Sequence, residues 1–155
     1  MPNVRPIPQG YHSVTPYLIC QDAARAIEFY KKAFGAVETV RMPMPGGKIG
    51  HAEIKIGDSI IMLADENAEA QAYSPQHFGG SPVSILLYVE KVDNVFNQAV
   101  SAGAKAVRPP QDMFYGDRTS SVTDPFGHNW YIHTHVKDVS PEEMRKAMEA
   151  TRAAS

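Results

Sequence analysis

His51-Ala52-Glu53-Ile54-Lys55-Ile56-Gly57-Asp58-Ser59-Ile60-Ile61-Met62-Leu63-Ala64 reads as two strands about a two-residue turn. Gly57-Asp58 between β-branched runs is a hairpin signal. With a two-residue loop, Ile56 pairs with Ser59, Lys55 with Ile60, Glu53 with Met62 and His51 with Ala64. Directly paired residues share a sheet face, and successive residues alternate between faces. Ala52, Ile54, Ile56, Ile61 and Leu63 then form one apolar face turned toward helices. His51, Glu53 and Met62 fall together on the other. A slip of one residue would mix the two sets, so the separation itself supports the register.

Working outward, the same order of elements occurs twice. Val14 to Cys20 is an apolar run with β-branched and aromatic members, a strand by pattern. Asp22 can cap the helix behind it, where Ala23, Ile27, Tyr30 and Phe34 fall at helical spacing and Gly35 stops it. Two strands flank the turn signal Pro43 to Lys48, and the hairpin follows. In the second half, Val83 to Val89 is a strand. Val92, Val95, Phe96, Ala99 and Val100 give an amphipathic helix that ends at Gly103. A strand around Ala106 to Arg108 meets Pro109-Pro110. Arg118 to Thr123 and Asn129 to His135 form a second hairpin about Asp124-Pro125-Phe126-Gly127. Each half is strand, helix, strand, strand, strand: a βαβββ module in an α+β protein.

The polar stretch Asp65 to Gly80 reads as a linker between the halves. Ser140-Pro141-Glu142-Glu143 combines an N-cap serine, a first-turn proline and a capping-box glutamate. The helix behind it carries the apolar stripe Met144, Ala147 and Met148, which either docks on its own domain or meets a second subunit. The expected organisation is one domain over residues 1–155, with modules at about 11–65 and 81–137, a linker at about 66–80 and a C-terminal helix at about 141–152.

Composition excludes several classes. The chain is 43% hydrophobic and 21% charged, ordinary for a globular domain, with a net charge of -2. That balance offers no footprint for nucleic acid, and no basic run suggests a membrane surface. The longest apolar runs, such as Ile60 to Ala64, are too short to span a bilayer. Met1 to Gly10 holds three prolines and no apolar core, unlike a signal peptide. Cys20 is the only cysteine, which excludes a disulfide within the chain and points to the reducing cytoplasm.

Local words narrow the fold. Ala26-Ile27-Glu28-Phe29-Tyr30 with Ala33-Phe34-Gly35-Ala36 looks like the first helix of the vicinal oxygen chelate superfamily, the glyoxalase, bleomycin-resistance and dioxygenase group. Asp124-Pro125-Phe126-Gly127-His128 looks like its late turn. The chain is also similar to the PhnB-like branch over Tyr11 to Leu18, Gly50 to Glu66, Tyr115 to Arg118 and Asp124 to His135. The resemblance runs from about residue 5 to residue 145. It implies that the two tandem βαβββ modules form a curved, cup-shaped mixed sheet that binds a small molecule on its concave face, and that the protein is a homodimer.

The resemblance also implies where metal-using members carry ligands, and here those positions hold Thr15, Met62, Ser84 and Tyr131. Hydroxyls, a thioether and a phenol are weak ligands beside imidazole and carboxylate. No metal and no other cofactor is therefore expected. The concave face should gather Thr15, Tyr17, His51, Glu53, Met62, Tyr131 and His133, with Trp130 and Ile132 packed beneath the helix. Tyr115, Asp117 and Arg118 would form a rim, with Arg118 clamping an anion or pairing with an acid. Glu53 is the expected base of a lyase or isomerase, with Tyr131, His51 or Arg118 stabilising negative charge. Thr15, Tyr17, Met62, Tyr115, Arg118 and His133 would bind substrate. The alternatives are a non-catalytic binder of a drug or metabolite, and an interaction subunit with a vestigial cup. Blander readings stand beside these. Strand-end His133 and His135 could chelate or simply be solvated, His12 could move in as a replacement ligand, His77 and His128 are solvated loop residues, and Cys20 is an inert core thiol.

Overall fold

Two four-stranded mixed sheets organise the chain in a computed structural model that describes residues 4–153. The first three residues of the proline-rich start lie outside that range.

In the first module, β1 (Tyr17–Cys20) leads into α1 (Ala23–Phe34), followed by β2 (Val37–Pro43), a 3-10 turn at Pro45–Gly47, β3 (Ile49–Ile56) and β4 (Ser59–Asp65). The strand order is β1-β4-β3-β2, with β1 parallel to β4 and the other pairs antiparallel. α1 starts where the Asp22 side chain accepts the Arg25 N–H at 3.0 Å, and it closes at Gly35 in the left-handed conformation. The β3–β4 ladder has the expected register, from Ile56 opposite Ser59 to Ala52 opposite Leu63, with Glu53 opposite Met62. Ala52, Ile54, Ile56, Ile61 and Leu63 are all buried. His51 lies beyond that ladder and pairs with Met42 of β2 instead. β1 starts at Tyr17 rather than Val14, and Val14 is exposed. Pro16 explains the late start, since it has no N–H to give a ladder; its carbonyl still accepts from Met62 N at 2.9 Å.

The stretch expected to be a linker is folded. Asp65 is the buried last residue of β4, and its carboxylate accepts the backbone N–H groups of Ala23 at 2.9 Å and Ile49 at 2.6 Å. Asn67 and Ala72 exchange two backbone hydrogen bonds. Ser74 is fully buried and donates its backbone N–H and its hydroxyl to Glu66. A single helical turn, α2 (Pro75–Phe78), follows. Polar composition suggested solvent, but each buried polar group here has a partner, and that makes its burial tolerable. His128 is likewise buried rather than solvated, with Nε2 donating to the Ile19 carbonyl at 3.0 Å and lying 4.0 Å from Cys20 Sγ. Gly127 beside it has φ +88°, and a Cβ there would come within 2.8 Å of Pro75 Cβ.

The second module repeats the plan with β5 (Ser84–Tyr88), α3 (Val92–Ala102), β6 (Lys105–Asp112), β7 (Asp117–Thr123) and β8 (Asn129–His135), in the order β5-β8-β7-β6. β6 is longer than expected and runs through Pro109-Pro110. It is an edge strand, where a missing N–H is tolerated, and its register shifts between Arg108 and Gln111. Trp130 is fully buried and donates its indole N–H to Asp124 at 2.9 Å. α4 (Pro141–Ala153) begins with the expected capping box: Glu143 N–H donates to Ser140 Oγ at 3.2 Å and Ser140 N–H to Glu143 Oε2 at 2.9 Å. No residue of α4 is buried: Met144 and Ala147 of its apolar stripe are half-buried and Met148 is exposed.

The described residues divide into two compact units. The first runs to Pro82 and includes Pro125–His128; the second holds Val83–Asp124 and the residues from Asn129 onward. The late turn joins the first unit because Phe126 is buried there, its ring centroid 6.3 Å from that of Phe29.

Candidate functional site

In the first unit, Tyr17, Met62, Glu53 and Val40 form one row across β1, β4, β3 and β2. Residues in register share a face, so this row lies opposite the apolar core. Its polar members are joined. The Tyr17 hydroxyl is 2.9 Å from His51 Nδ1, and His51 Nε2 is 3.2 Å from Glu53 Oε1. Tyr11, just upstream of β1, donates its hydroxyl to Glu53 Oε2. An ionised carboxylate only accepts and a phenol can donate. A neutral His51 that accepts at Nδ1 and donates at Nε2 therefore satisfies every partner.

This chain places Glu53 among Tyr11, His51 and Met62, and it is 7% exposed. Tyr11 had no assigned role in the sequence reading; the available signal was a tyrosine just ahead of a strand that aims its side chains at the same face. The hydrogen bond to Glu53, then burial, then the carboxylate's charge push the Tyr11 phenol up from its ordinary pKa. Burial, then the Glu53 charge, push Tyr17 up. Both phenols thus hold their protons more firmly than free tyrosine. Tyr17 also stands at the wall of a cavity of about 530 Å³, with Ile19, Met44, Ala64 and Asp65. Glu53 and His51 do not line it. Thr15 is half-buried ahead of β1, outside the strand ladder.

In the second unit, the equivalent row is Leu86, Tyr131, Ser121 and Arg108, and the next is Tyr88, His133, Thr119 and Gln111. These rows border a cavity of about 410 Å³ that Tyr115 also lines. The structure therefore brings Tyr131, His133 and Tyr115 to one cavity. Arg118 is absent from it. Its guanidinium donates twice to Asp93, at 2.7 and 2.8 Å, and once to Asp112 at 3.0 Å. Those contacts, Asp93 first, raise the Arg118 pKa, so the guanidinium is paired with surface acids, the alternative to an anion clamp.

Asp117 anchors a different cluster. It is 5% exposed and accepts from Tyr88 at 2.8 Å, His133 Nδ1 at 3.2 Å and His135 Nδ1 at 2.7 Å. Burial alone would raise its pKa, but the hydrogen bonds from His135, Tyr88 and His133 outweigh it and hold the carboxyl below its ordinary value. The other His135 nitrogen is 2.9 Å from Asp138, so carboxylates flank both ring nitrogens of that residue.

Thr15, Met62, Ser84 and Tyr131 do not fit a divalent metal. Their donor set lacks any imidazole or carboxylate. Tyr17 and Leu86, rather than Thr15 and Ser84, lie in register with Met62 and Tyr131. Among the described residues, no three of His, Cys, Asp or Glu are grouped to hold a metal ion.

A family model described as the Glyoxalase/Bleomycin resistance protein/Dioxygenase superfamily matches residues 10–132. The chain belongs to that superfamily. An uncharacterized protein of Mycobacterium tuberculosis is 42% identical to this glyoxalase-superfamily chain over 139 residues, covering 88% of it and 82% of the relative. The crystal structure of TioX from Micromonospora sp. ML1 is similar at 28% identity and a TM-score of 0.63, covering 83% of this chain and 100% of TioX. A PhnB protein from Bacillus cereus shares the fold at 16% identity and a TM-score of 0.62, covering 79% of this chain and 99% of its own. The α+β fold of paired βαβββ modules with a C-terminal helix is thus that of the superfamily.

Proposed function

We propose that this glyoxalase-superfamily protein, of the PhnB-like kind, binds a small molecule beside Tyr17 and moves a proton on it as an isomerase or lyase. The supporting observation is the unbroken chain from Tyr17 at the cavity wall, through His51, to buried Glu53. The Tyr17 oxygen takes a proton from an acidified C–H of the ligand as its own proton passes to His51 Nδ1. Glu53 stabilises the imidazolium that results, and return of the proton to a neighbouring carbon completes an isomerisation without net oxidation. Glu53 is then the anchoring base of the relay, two hydrogen bonds behind the ligand.

A non-catalytic binder is the second reading. It is favoured by one observation: both Glu53 oxygens already hold partners, Tyr11 and His51. The reducing cytoplasm suits the single cysteine, and a homodimer suits the partly exposed α4 stripe.

Thermal-shift screening of thiol-aldehyde adducts and small oxo-acids supplies the ligand, and NMR of the mixture shows whether it is converted. For the enzyme, Tyr17→Phe and Glu53→Gln should each lower turnover by about 10²-fold or more, the scale of a general base. Affinity should change little. A ligand bound but never converted, with affinity indifferent to Glu53→Gln, leaves the binder.

A further inference from the structure

The second unit's cavity has its own chemistry, separate from the Tyr17 relay. Of the residues that line it, Arg108 is the only one with a permanent charge. Among the described residues Arg108 makes no hydrogen bond or ion pair through its side chain, in contrast to Arg118. It sits in register with Ser121 and Tyr131, so its side chain shares their face of the sheet. An unmatched guanidinium in a site walled by Leu86, Met113, Tyr115 and Tyr131 favours an anion with an apolar body.

His133 supplies the second fixed point. Asp117 can only accept, so His133 carries its proton on Nδ1 and leaves Nε2 as an acceptor when neutral. The residue is 7% exposed, and Nε2 has no partner among the described residues. Yet among the described residues no buried side-chain nitrogen or oxygen lacks a partner. Nε2 must therefore be reached by solvent, and the cavity that His133 lines is the route. Neighbouring strands are about 4.8 Å apart and a strand rises about 3.3 Å per residue, so Arg108 on β6 and His133, two strands over on β8 and one row along, stand about 12 Å apart on the sheet. A ring-sized body fits between their side chains.

We propose that this cavity binds a small organic carboxylate, its acid group held by Arg108 and a hydroxyl or N–H at its other end donated to His133 Nε2. Asp117 is the positioning residue that fixes the histidine tautomer. Ser121 and Tyr131 lie between the two ends, and the aromatic walls carry the apolar body.

The test uses the isotope-labelled full chain and NMR titration with 4-hydroxyphenylacetate and 3-hydroxybenzoate, each beside its neutral amide. The acids should shift the Arg108 and His133 side-chain signals and bind at least tenfold more tightly than the amides. Arg108→Gln should abolish that preference, and Arg108→Lys should restore part of it without the two-pronged contact. Arg25→Gln, on the exposed side of α1, should leave it intact. Phenylacetate, which lacks the donor, should bind more weakly than 4-hydroxyphenylacetate to the native chain but equally to His133→Gln, with melting curves confirming that each variant folds. No shift from any acid at millimolar concentration overturns the proposal, as does a preference for acids that survives Arg108→Gln. Shifts confined to Tyr17 and His51 overturn it while leaving the proposed function standing. Shifts at Arg108 and His133 support it even where Tyr17→Phe proves inert.

Discussion

His133 and His135, two positions apart on one strand, have different fates. His133 is buried and keeps one nitrogen toward a cavity, whereas His135 is half-exposed with both nitrogens against carboxylates. The hydrogen bond to Asp138, then that to Asp117, raises the His135 pKa above 6.5. Because the folded value is the higher one, the stabilisation is complete below the unfolded pKa of 6.5 and fades as pH rises through the folded value. An NMR pH titration of His135 should therefore place its midpoint above 6.5, and Asp138→Asn should bring it down; a midpoint below 6.5 in the native chain would refute the pairing. Strand alternation alone put Tyr131 and His133 on a shared face. Nothing local indicated that Asp117 would join both histidines, because that contact depends on a seven-residue ladder between strands separated by a turn. Arg118 and Arg108 show the same limit. The sequence left Arg118 open between an anion and an acid and gave Arg108 no role, and only the fold reveals that Asp93 on α3 neutralises the first.

At the level of elements, the β3–β4 hairpin was legible because turn length and apolar alternation agree on one register. β6 and the segment after β4 were not, for opposite reasons. Two prolines suggested a strand end where an edge strand tolerates them. Polar residues suggested a linker where their side chains hold backbone together. Asp65 is the clearest case, since it ties the start of α1 and the start of β3 to the end of β4. Asp65→Ala would strand two buried N–H groups at a cost of about 1–3 kcal/mol each. Urea denaturation should show a loss of at least about 2 kcal/mol, with Asp65→Asn milder because it keeps one acceptor oxygen. A change below about 0.5 kcal/mol, the ordinary range for surface positions, would show that Asp65 is not structural.

For the whole molecule, duplication explains why fold was more legible than chemistry. The same βαβββ order appears twice, so each half checks the other, whereas the two equivalent rows differ at every position: Tyr17, Met62, Glu53 and Val40 against Leu86, Tyr131, Ser121 and Arg108. A duplicated scaffold thus carries two unlike surfaces, and neither predicts the other. The chain also leaves much apolar surface uncovered. Leu86 and Tyr88 on β5 are 48% and 61% exposed, and Met148 on α4 is 52% exposed. A stable dimer needs about 800 Å² buried on each partner, and the exposed edge of β5 with the amphipathic α4 is the surface to test for it. Light scattering at micromolar concentration should therefore give about twice the 17.0 kDa chain mass. Met144→Lys with Met148→Lys should shift the equilibrium toward monomer if the α4 stripe lies in that contact, and Leu86→Lys should do so if β5 does. A native chain that runs at 17.0 kDa across that range ends the dimer claim, and leaves the exposed residues of β5 and α4 as surface that serves some other contact.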